Sequence, residues 1–240
     1  MYKVCAEING VEYRPVTLNK NFDIEADRIL AACDGNTKLV WICTPNNPTG
    51  NDLSYDQIVA VLEEFDGLVI VDEAYSDFTH RRAFRYELAK YPNMIVLNTM
   101  SKAWALAGIR LGMAFASSEI IDVFNKVKYP YNVNALTQKE ALKAFGRALE
   151  VSKWVSTIIL ERGRMTDAFK LLPMCKKVYP SDANFFLAEM TDADRIYRYL
   201  VNQGIIVRNR SRVTLCHNCL RITIGTKSEN NELLSALRVL

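Results

Sequence analysis

A lysine, two hydroxyl residues and an arginine are grouped in TMSKAWALAGIR, residues 99–110. Lys102 follows Thr99 and Ser101, and Arg110 comes eight residues after the lysine. A lysine in a turn is most often a solvated charge, but here its neighbours are mainly small and apolar. Such surroundings suit an amine that has to be neutral in order to attack a carbonyl group. The motif therefore predicts a nucleophilic lysine beside groups that can bind an anion.

Two further polar motifs follow apolar runs that are typical of buried strands. LVIVDEAY places Asp72 and Tyr75 directly after such a run, and TPNNPTG, residues 44–50, follows LVWIC. Polar side chains just beyond the carboxyl ends of parallel strands mark where open α/β sheets bind ligands. The two prolines of TPNNPTG restrict the turn, so we expect it to hold the amide of Asn46 or Asn47 in a fixed direction.

One kind of cofactor would use all of these groups: an aldehyde with an aromatic nitrogen and a phosphate. Lys102 would form a Schiff base with the aldehyde, while Thr99, Ser101 and Arg110 would bind the phosphate. The carboxylate of Asp72 would pair with the ring nitrogen and keep it protonated, so that the ring can accept electrons from a substrate carbanion. Tyr75 and an amide of the turn would bond the ring hydroxyl.

Composition excludes several other kinds of protein. Half of the 240 residues are apolar and 24% are charged, which is typical of a globular protein with a sizeable core. A net charge of +3, spread along the chain, gives no reason to expect a nucleic-acid or membrane partner. Six cysteines in a chain of this length do not indicate a disulfide framework, so we expect a reducing, cytoplasmic setting.

The sequence gives no evidence of a metal site. The two histidines, His80 and His217, lie far apart in the chain, and the single CxxC motif, Cys216 to Cys219, has no second pair. Small residues entering a strand explain that motif better than metal binding or redox chemistry. We therefore expect no metal.

The first half of the chain has the pattern of a mostly parallel α/β sheet. Continuous apolar runs predict strands at 38–43, 68–71 and 94–97, covered on both faces, with a helix over 54–65 between the first two. A fourth strand at 111–116 follows after too few residues for an easy parallel crossover, which favours an antiparallel strand in a mixed sheet.

The second half predicts a smaller α/β unit. Helical spacing indicates a short helix at 118–128 and a long helical stretch over 135–171, with Gly146 and Gly163 as bend positions. Strands are expected at 183–188, 204–207 and 219–224, and helices at 192–202 and after Thr226, which forms a capping box with Glu229. We divide the chain into a partial cofactor-binding large domain, 1–133, and a linking helix with a small C-terminal domain, 134–240.

With these motifs together, the chain resembles the aminotransferases of pyridoxal-phosphate fold type I, and within them the histidinol-phosphate aminotransferase family. The resemblance runs along the whole chain and is carried by five motifs: TPNNPTG, VDEAYSDF, TMSKAWALAGIRLGMAFAS, PYNVN and GIIVRNRS with CLRITIGT. It implies pyridoxal 5'-phosphate as cofactor, with Asn47 as the matching amide. It also implies that Arg221 binds the substrate anion, assisted by Arg208.

The resemblance implies a reaction and partners as well. Histidinol phosphate and 2-oxoglutarate would be interconverted with imidazole-acetol phosphate and glutamate in histidine biosynthesis, with Lys102 as general base and acid. A homodimer with active sites near the subunit interface is also implied. The family has a segment before the point that matches Tyr2, carrying a phosphate-binding loop and an aromatic residue that stacks on the ring. We therefore expect the 240-residue chain alone to be poorly stable and to have little or no transaminase activity.

Three alternatives remain open at this point. A threonine-phosphate decarboxylase has similar turn and lysine motifs, although PYNVN and CLRITIGT favour the aminotransferase. LVIVDE also describes the magnesium-binding strand of an ATP-dependent motor, of which this chain would be a fragment whose P-loop was lost with the N-terminus. Finally, the chain could keep the fold without the activity.

Overall fold

In a computed structural model that describes residues 1–240, the chain forms two four-stranded sheets with helices packed against them. The strands are β1 Leu39–Cys43, β2 Leu68–Asp72, β3 Met94–Thr99, β4 Gly112–Phe115, β5 Cys175–Val178, β6 Phe185–Met190, β7 Arg208–Asn209 and β8 Cys219–Thr223. The helices are α1 Tyr2–Ile8, α2 Ala26–Ala31, α3 Tyr55–Glu64, α4 Ser118–Val127, α5 Ala135–Phe145, α6 Ala148–Lys170, α7 Ala193–Asn202 and α8 Lys227–Arg238. None of the helices combines the length and apolar character that crossing a bilayer requires.

The first sheet has the order β1-β2-β3-β4, with the first three strands parallel and β4 antiparallel. This confirms the mixed sheet and the antiparallel fourth strand. The second sheet has the order β5-β6-β8-β7 and is antiparallel throughout. The chain is therefore an α/β protein with one mostly parallel and one antiparallel sheet.

One face of the first sheet is less covered than its apolar strands predict. Val40 and Ile42 of β1 are buried, together with Val69 and Val71 of β2, and α3 packs against this face. On the other face Leu39 and Trp41 are 50% and 39% exposed, so the expected cover on both faces is wrong for β1. Asp72 lies on this less covered face, because it pairs with Cys43, two residues after Trp41.

Local signals set most element boundaries. Ser54 caps α3, because its side chain accepts a hydrogen bond from the Gln57 amide, and Thr226 and Glu229 form the predicted capping box of α8. The long helical stretch divides at Gly146 into α5 and α6, as predicted. Gly163 instead lies inside α6 without ending it, because one glycine costs a helix only about 1 kcal/mol.

One predicted strand is misplaced. Residues 204–207 form no strand, and the short strand β7 begins at Arg208. The reason is Gly204, which has φ +77° and closes the turn after α7, so the chain needs several residues to reach the sheet. α1, α2 and β5 lack a strong apolar period and were not expected from the sequence.

The two sheets are joined through a small apolar cluster that includes Tyr75, Phe78 and Phe185. Close beside it, the loop before β6 is bonded to the TPNNPTG turn. The Asp182 amide donates to the Gly50 carbonyl at 2.7 Å, and the Asp52 amide donates to the Asp182 carboxylate at 2.9 Å. These contacts place residues of β6 and β8 next to the ends of β1 and β2.

Candidate functional site

The TPNNPTG turn closes on itself and presents one asparagine to the second sheet. The Asn46 amide donates to the Asn51 carbonyl at 2.9 Å, and the Gly50 amide donates to the Asn46 carbonyl at 2.8 Å. The Asn46 side chain is used inside the turn, where its Nδ2 donates to Thr49 Oγ1 at 2.8 Å. Only Asn47 is therefore free to point outward, which agrees with the choice of Asn47 as the site amide.

Tyr75 lies at the centre of the predicted site residues. It is 6% exposed, and its hydroxyl lies 3.5 Å from Asn47 Nδ2. Its ring meets the Phe185 ring edge-on, with centroids 5.1 Å apart. Lys102 Nζ lies 5.2 Å from the centroid of the Tyr75 ring. The lysine and the amide-bearing turn, 55 residues apart in sequence, thus meet at one tyrosine.

Lys102 sits in a compact turn just after β3. The Ala105 amide donates to the Lys102 carbonyl at 3.0 Å, and the Leu106 amide closes the segment on the Met100 carbonyl at 3.0 Å. The lysine side chain is exposed, although its sequence neighbours are mainly small and apolar. Its ammonium group takes part in none of the chain's ion pairs, so the amine is available to a ligand.

Asp72 ends β2 and is held at both carboxylate oxygens. Oδ1 accepts a hydrogen bond from the Ala74 amide at 3.1 Å, and Oδ2 accepts one from the Tyr2 hydroxyl at 2.6 Å. Asp72 lies opposite Leu97 in the parallel register of β2 and β3. Because side chains alternate along a strand, Thr99 lies on the same sheet face, two residues further on.

The structure brings together two of the three groups predicted to bind a phosphate. The Ser101 amide donates to Thr99 Oγ1 at 3.1 Å, and Thr99 Oγ1 donates to the Leu111 carbonyl at 3.2 Å. Arg110 is next to Leu111 in the chain and has a left-handed backbone, with φ +55°. Its side chain is exposed, and its Nη1 donates to the Ala107 carbonyl at 3.1 Å rather than to either hydroxyl residue.

Arg221 reaches the site from the middle of the second sheet. Its Nη1 donates to Asn47 Oδ1 at 2.8 Å, and its guanidinium group lies over the Phe185 ring at 4.7 Å. Arg208 lies opposite Arg221 in the register of β7 and β8. Burial lowers the pKa of Arg221, and the nearby Arg210 and Arg208 lower it further, although Tyr75 acts in the opposite direction. This strand pair therefore concentrates positive charge beside Asn47.

Sequence reasoning missed two residues of this cationic region. The Nε of Arg210 and the hydroxyl of Ser211 are buried without a hydrogen-bond partner, as is the Nε of Arg221. Arg210 follows Arg208 by two residues, a spacing that puts both on one face of an extended chain. That spacing in VRNRS was the available signal.

The donors and acceptors of this region fit pyridoxal phosphate and an anionic substrate. A carboxylate at a strand end suits a protonated ring nitrogen, and an amide and a phenol beside each other suit a ring hydroxyl. Two hydroxyl residues and a nearby arginine suit the phosphate. The unpartnered, buried nitrogen atoms of Arg210 and Arg221 suit a further anion, because buried polar groups normally have partners.

Comparison with known proteins assigns the chain to a class. A family model described as aminotransferase class I and II matches residues 1–237. The chain therefore belongs to this family, whose enzymes depend on pyridoxal phosphate.

Individual relatives make the likeness more specific. The histidinol-phosphate aminotransferase of Bacteroides fragilis is 55% identical over 238 residues, which are 99% of this chain and 69% of that protein. The crystal structure of the histidinol-phosphate aminotransferase from Clostridium acetobutylicum is 25% identical, with a TM-score of 0.92 over 99% of this chain and 74% of that one. The histidinol-phosphate aminotransferase from Sinorhizobium meliloti, solved in complex with pyridoxal-5'-phosphate, has the same fold, with a TM-score of 0.89 at 24% identity.

These comparisons confirm the resemblance to histidinol-phosphate aminotransferases and the aminotransferase class. Membership of this pyridoxal-phosphate-dependent family confirms pyridoxal phosphate as the cofactor. The comparisons also contradict the ATP-dependent motor, because the family model covers the LVIVDE strand together with the rest of the chain. The roles of individual residues stay predictions.

Proposed function

We propose that this chain carries the site at which an amino group is exchanged between histidinol phosphate and 2-oxoglutarate. The observation that supports this most directly is the series of contacts from Arg221 through Asn47 and Tyr75 to Lys102. It links a cation that can bind a substrate anion to an amine that can do the chemistry. The 55% identity to a histidinol-phosphate aminotransferase supports the choice of substrate.

Lys102 has two tasks in this proposal. Its Nζ would hold the cofactor by its aldehyde carbon, and as a free amine it would accept the proton from the substrate α-carbon and donate it again in the second proton transfer. Pyridoxal phosphate, when bound, supplies an electron-withdrawing ring for the charge that this proton leaves behind. The amine of Lys102 is exposed and outside every ion pair, so it can approach a ligand from the solvent side.

The remaining cofactor-binding residues would hold the ring and the phosphate. Asp72 would accept a hydrogen bond from the ring nitrogen, and its fixed carboxylate would keep that nitrogen protonated. Asn47 and Tyr75 would donate to the ring hydroxyl from one side. Thr99 and Ser101, with Arg110 close by in the chain, would bind the phosphate, which requires the Arg110 side chain to leave the Ala107 carbonyl.

Arg221 would bind the substrate's anionic group, with Arg208 assisting. A phosphate arrives in one half-reaction and a carboxylate in the other, and arginine can form paired hydrogen bonds with both. Asn47 Oδ1 accepts from one Nη atom of Arg221, which holds the guanidinium group in place while its other donors remain free. Because Asn47 also contacts Tyr75, the substrate and cofactor subsites share one amide.

We further propose the division into a cofactor-binding unit, 1–133, and a C-terminal unit, 134–240, as parts of a fold type I enzyme. The first sheet lies within residues 39–115 and the second within 175–223, which supports this division. Asn134, whose side chain caps α5, marks the start of the second unit.

The proposed assembly is a cytoplasmic homodimer. Large apolar side chains are exposed along α4 to α6 and would suit a second copy; they include Val127 at 76%, Leu136 at 78%, Leu142 at 71% and Leu149 at 83%. Analytical ultracentrifugation of the chain at several concentrations tests this, and a monomer at all of them would contradict it.

Two alternatives differ from this proposal in the product that would be measured. A threonine-phosphate decarboxylase-like lyase would release carbon dioxide from its substrate. A non-catalytic protein that keeps the fold would give no product at all.

The experiment supplies histidinol phosphate with 2-oxoglutarate in one reaction and threonine phosphate in another, each with pyridoxal phosphate, and measures glutamate formation and carbon dioxide release in both. The chain alone is expected to have little activity, so glutamate formation is compared with a reaction that contains no protein. Formation above that level that is lost in Arg221→Gln but kept in Arg212→Gln, a neighbouring exposed arginine, supports the proposal. Carbon dioxide release from threonine phosphate without amino transfer favours the lyase. No glutamate from a folded chain that binds the cofactor favours the non-catalytic protein.

A further inference from the structure

The acidic residue at the end of β2 has a partner that none of the site motifs includes. A strand end fixes the position of the Asp72 backbone, but the carboxylate can still rotate about its side-chain bonds. The Tyr2 hydroxyl donates to Oδ2 at 2.6 Å, and the Ala74 amide donates to Oδ1 at 3.1 Å. With one donor on each oxygen, the carboxylate has a defined plane.

Tyr2 is itself held by an aromatic contact. Its ring stacks on the Trp41 ring, with centroids 4.6 Å apart and an angle of 29° between the planes. Trp41 lies two residues before Cys43, and Cys43 lies opposite Asp72 in the parallel register of β1 and β2. Trp41, Cys43 and Asp72 therefore share one face of the sheet, and Tyr2 lies across it. No residue of α1 is fully buried, and Tyr2 belongs to none of the apolar core clusters.

From this geometry we propose that Tyr2 is a positioning residue that holds the Asp72 carboxylate in the direction of the cofactor's ring nitrogen. The inference rests on the proposed function, because it assumes that Asp72 binds that nitrogen. A carboxylate has about four acceptor positions on its two oxygens. The hydrogen bonds from Tyr2 and Ala74 use two of them and leave others for the ring.

The protonation of the neighbouring groups agrees with this role. Burial raises the pKa of the Tyr2 phenol, and the nearby Cys43 and Asp72 raise it further, so the phenol keeps the proton that it donates. Burial, with Asp72 beside it, raises the pKa of the Cys43 thiol to about 11. A neutral thiol adds no second negative charge next to Asp72. The carboxylate is then the only anion that these three side chains present to the ring.

The test compares Tyr2→Phe, which keeps the stacked ring, with Tyr86→Phe, where the same atom is removed from a side chain that is 59% exposed and lies outside the site motifs. The dissociation constant of pyridoxal phosphate and the pH profile of its visible absorption band are measured for the unsubstituted chain and both variants. Loss of one hydrogen bond to a charged group predicts about tenfold weaker binding and a shifted pH profile for Tyr2→Phe. Tyr86→Phe is expected to match the unsubstituted chain.

A second pair of variants shows whether Tyr2 acts through Asp72. In an Asp72→Asn background, Tyr2→Phe is expected to change cofactor binding by less than about twofold, because the charged acceptor is gone. An equal loss in both backgrounds would mean a merely structural role and would overturn the inference. Unchanged or tighter binding by Tyr2→Phe alone would overturn it too, since tighter binding would mean that the phenol occupies the place of the ring.

Borohydride labelling of the unsubstituted chain separates this inference from the proposed function. If Lys102 is labelled and Tyr2→Phe binds the cofactor like the unsubstituted chain, only the role of Tyr2 is wrong. If Lys102 is not labelled, the proposed function fails, and the inference about Tyr2 fails with it.

Discussion

Substituting Gly50 by alanine tests how closely the TPNNPTG turn is attached to the second sheet. Gly50 has φ +90°, a conformation that costs an L-residue about 1–2 kcal/mol. An added Cβ would lie 2.5 Å from Ser181 Oγ, 3.0 Å from Ser181 Cβ and 3.3 Å from the Phe185 carbonyl oxygen. Overpacking of this kind costs about 1–3 kcal/mol more. We therefore expect Gly50→Ala to lower the free energy of unfolding by about 2–5 kcal/mol.

A control separates the two causes. Gly10 also has a positive φ, +62°, but an added Cβ there would meet nothing within 4 Å. Gly10→Ala should therefore show only the backbone cost of about 1–2 kcal/mol. Urea unfolding followed by far-UV circular dichroism gives both values, and the comparison is valid if the denaturant dependence is the same in all variants.

The clash itself can be tested by enlarging the space on the other side. The Ser181→Gly change removes both atoms nearest to the added Cβ. In a double-mutant cycle, Gly50→Ala should cost about 1–2 kcal/mol less in the Ser181→Gly background than in the unsubstituted chain. If Gly50→Ala is as mild as Gly10→Ala, or if the two substitutions are simply additive, the turn and the loop do not pack as described.

Two further predictions concern buried charged groups. Arg162→Met should lower the free energy of unfolding by about 2–4 kcal/mol, because the Phe78 and Ala183 carbonyls lose a donor that lies 3.3 Å and 2.7 Å away. Arg164→Met, at a more exposed position, should lower it by less than about 1 kcal/mol. Equal losses for the two variants in urea unfolding would contradict this. Burial raises the pKa of the Glu73 carboxyl above its usual 4.5. The stability of the unsubstituted chain relative to Glu73→Gln should therefore be greatest below about pH 4.5 and fall as pH rises through the folded-state pKa. A stability difference that grows with pH would contradict this.

Most of the fold could be predicted from local sequence patterns. The runs that became β1, β2 and β3 are continuous and apolar, and Ser54 and Thr226 mark helix starts by their side-chain chemistry. β7 could not be placed, because a two-residue edge strand is defined by its partner β8 rather than by its own residues. α1 has no buried residue, so its sequence lacks the apolar period from which a helix could be predicted.

The site residues, too, divide into those that a local motif predicts and those that only the fold brings close. Asn47, Asp72, Tyr75 and Lys102 belong to local motifs, and each could be named from its neighbours in the chain. Their mutual distances depend on how the parallel strands end at one edge of the sheet. The spacing of the motifs in the sequence predicts that they meet there but not how far apart their atoms lie. Partners from distant segments gave weaker signals. Tyr2 lies 70 residues before Asp72 in the chain, and no motif connects the two.

Borohydride labelling shows whether Lys102 is the amine that binds pyridoxal phosphate. The folded chain is incubated with pyridoxal phosphate, reduced with borohydride, digested and mapped by mass spectrometry. We expect the pyridoxyl label on Lys102 and its loss in Lys102→Arg, while substitution of Lys126, an exposed lysine on α4, by arginine leaves it unchanged. A label spread over surface lysines, with the same total in Lys102→Arg, would mean that Lys102 is not the amine that binds the cofactor.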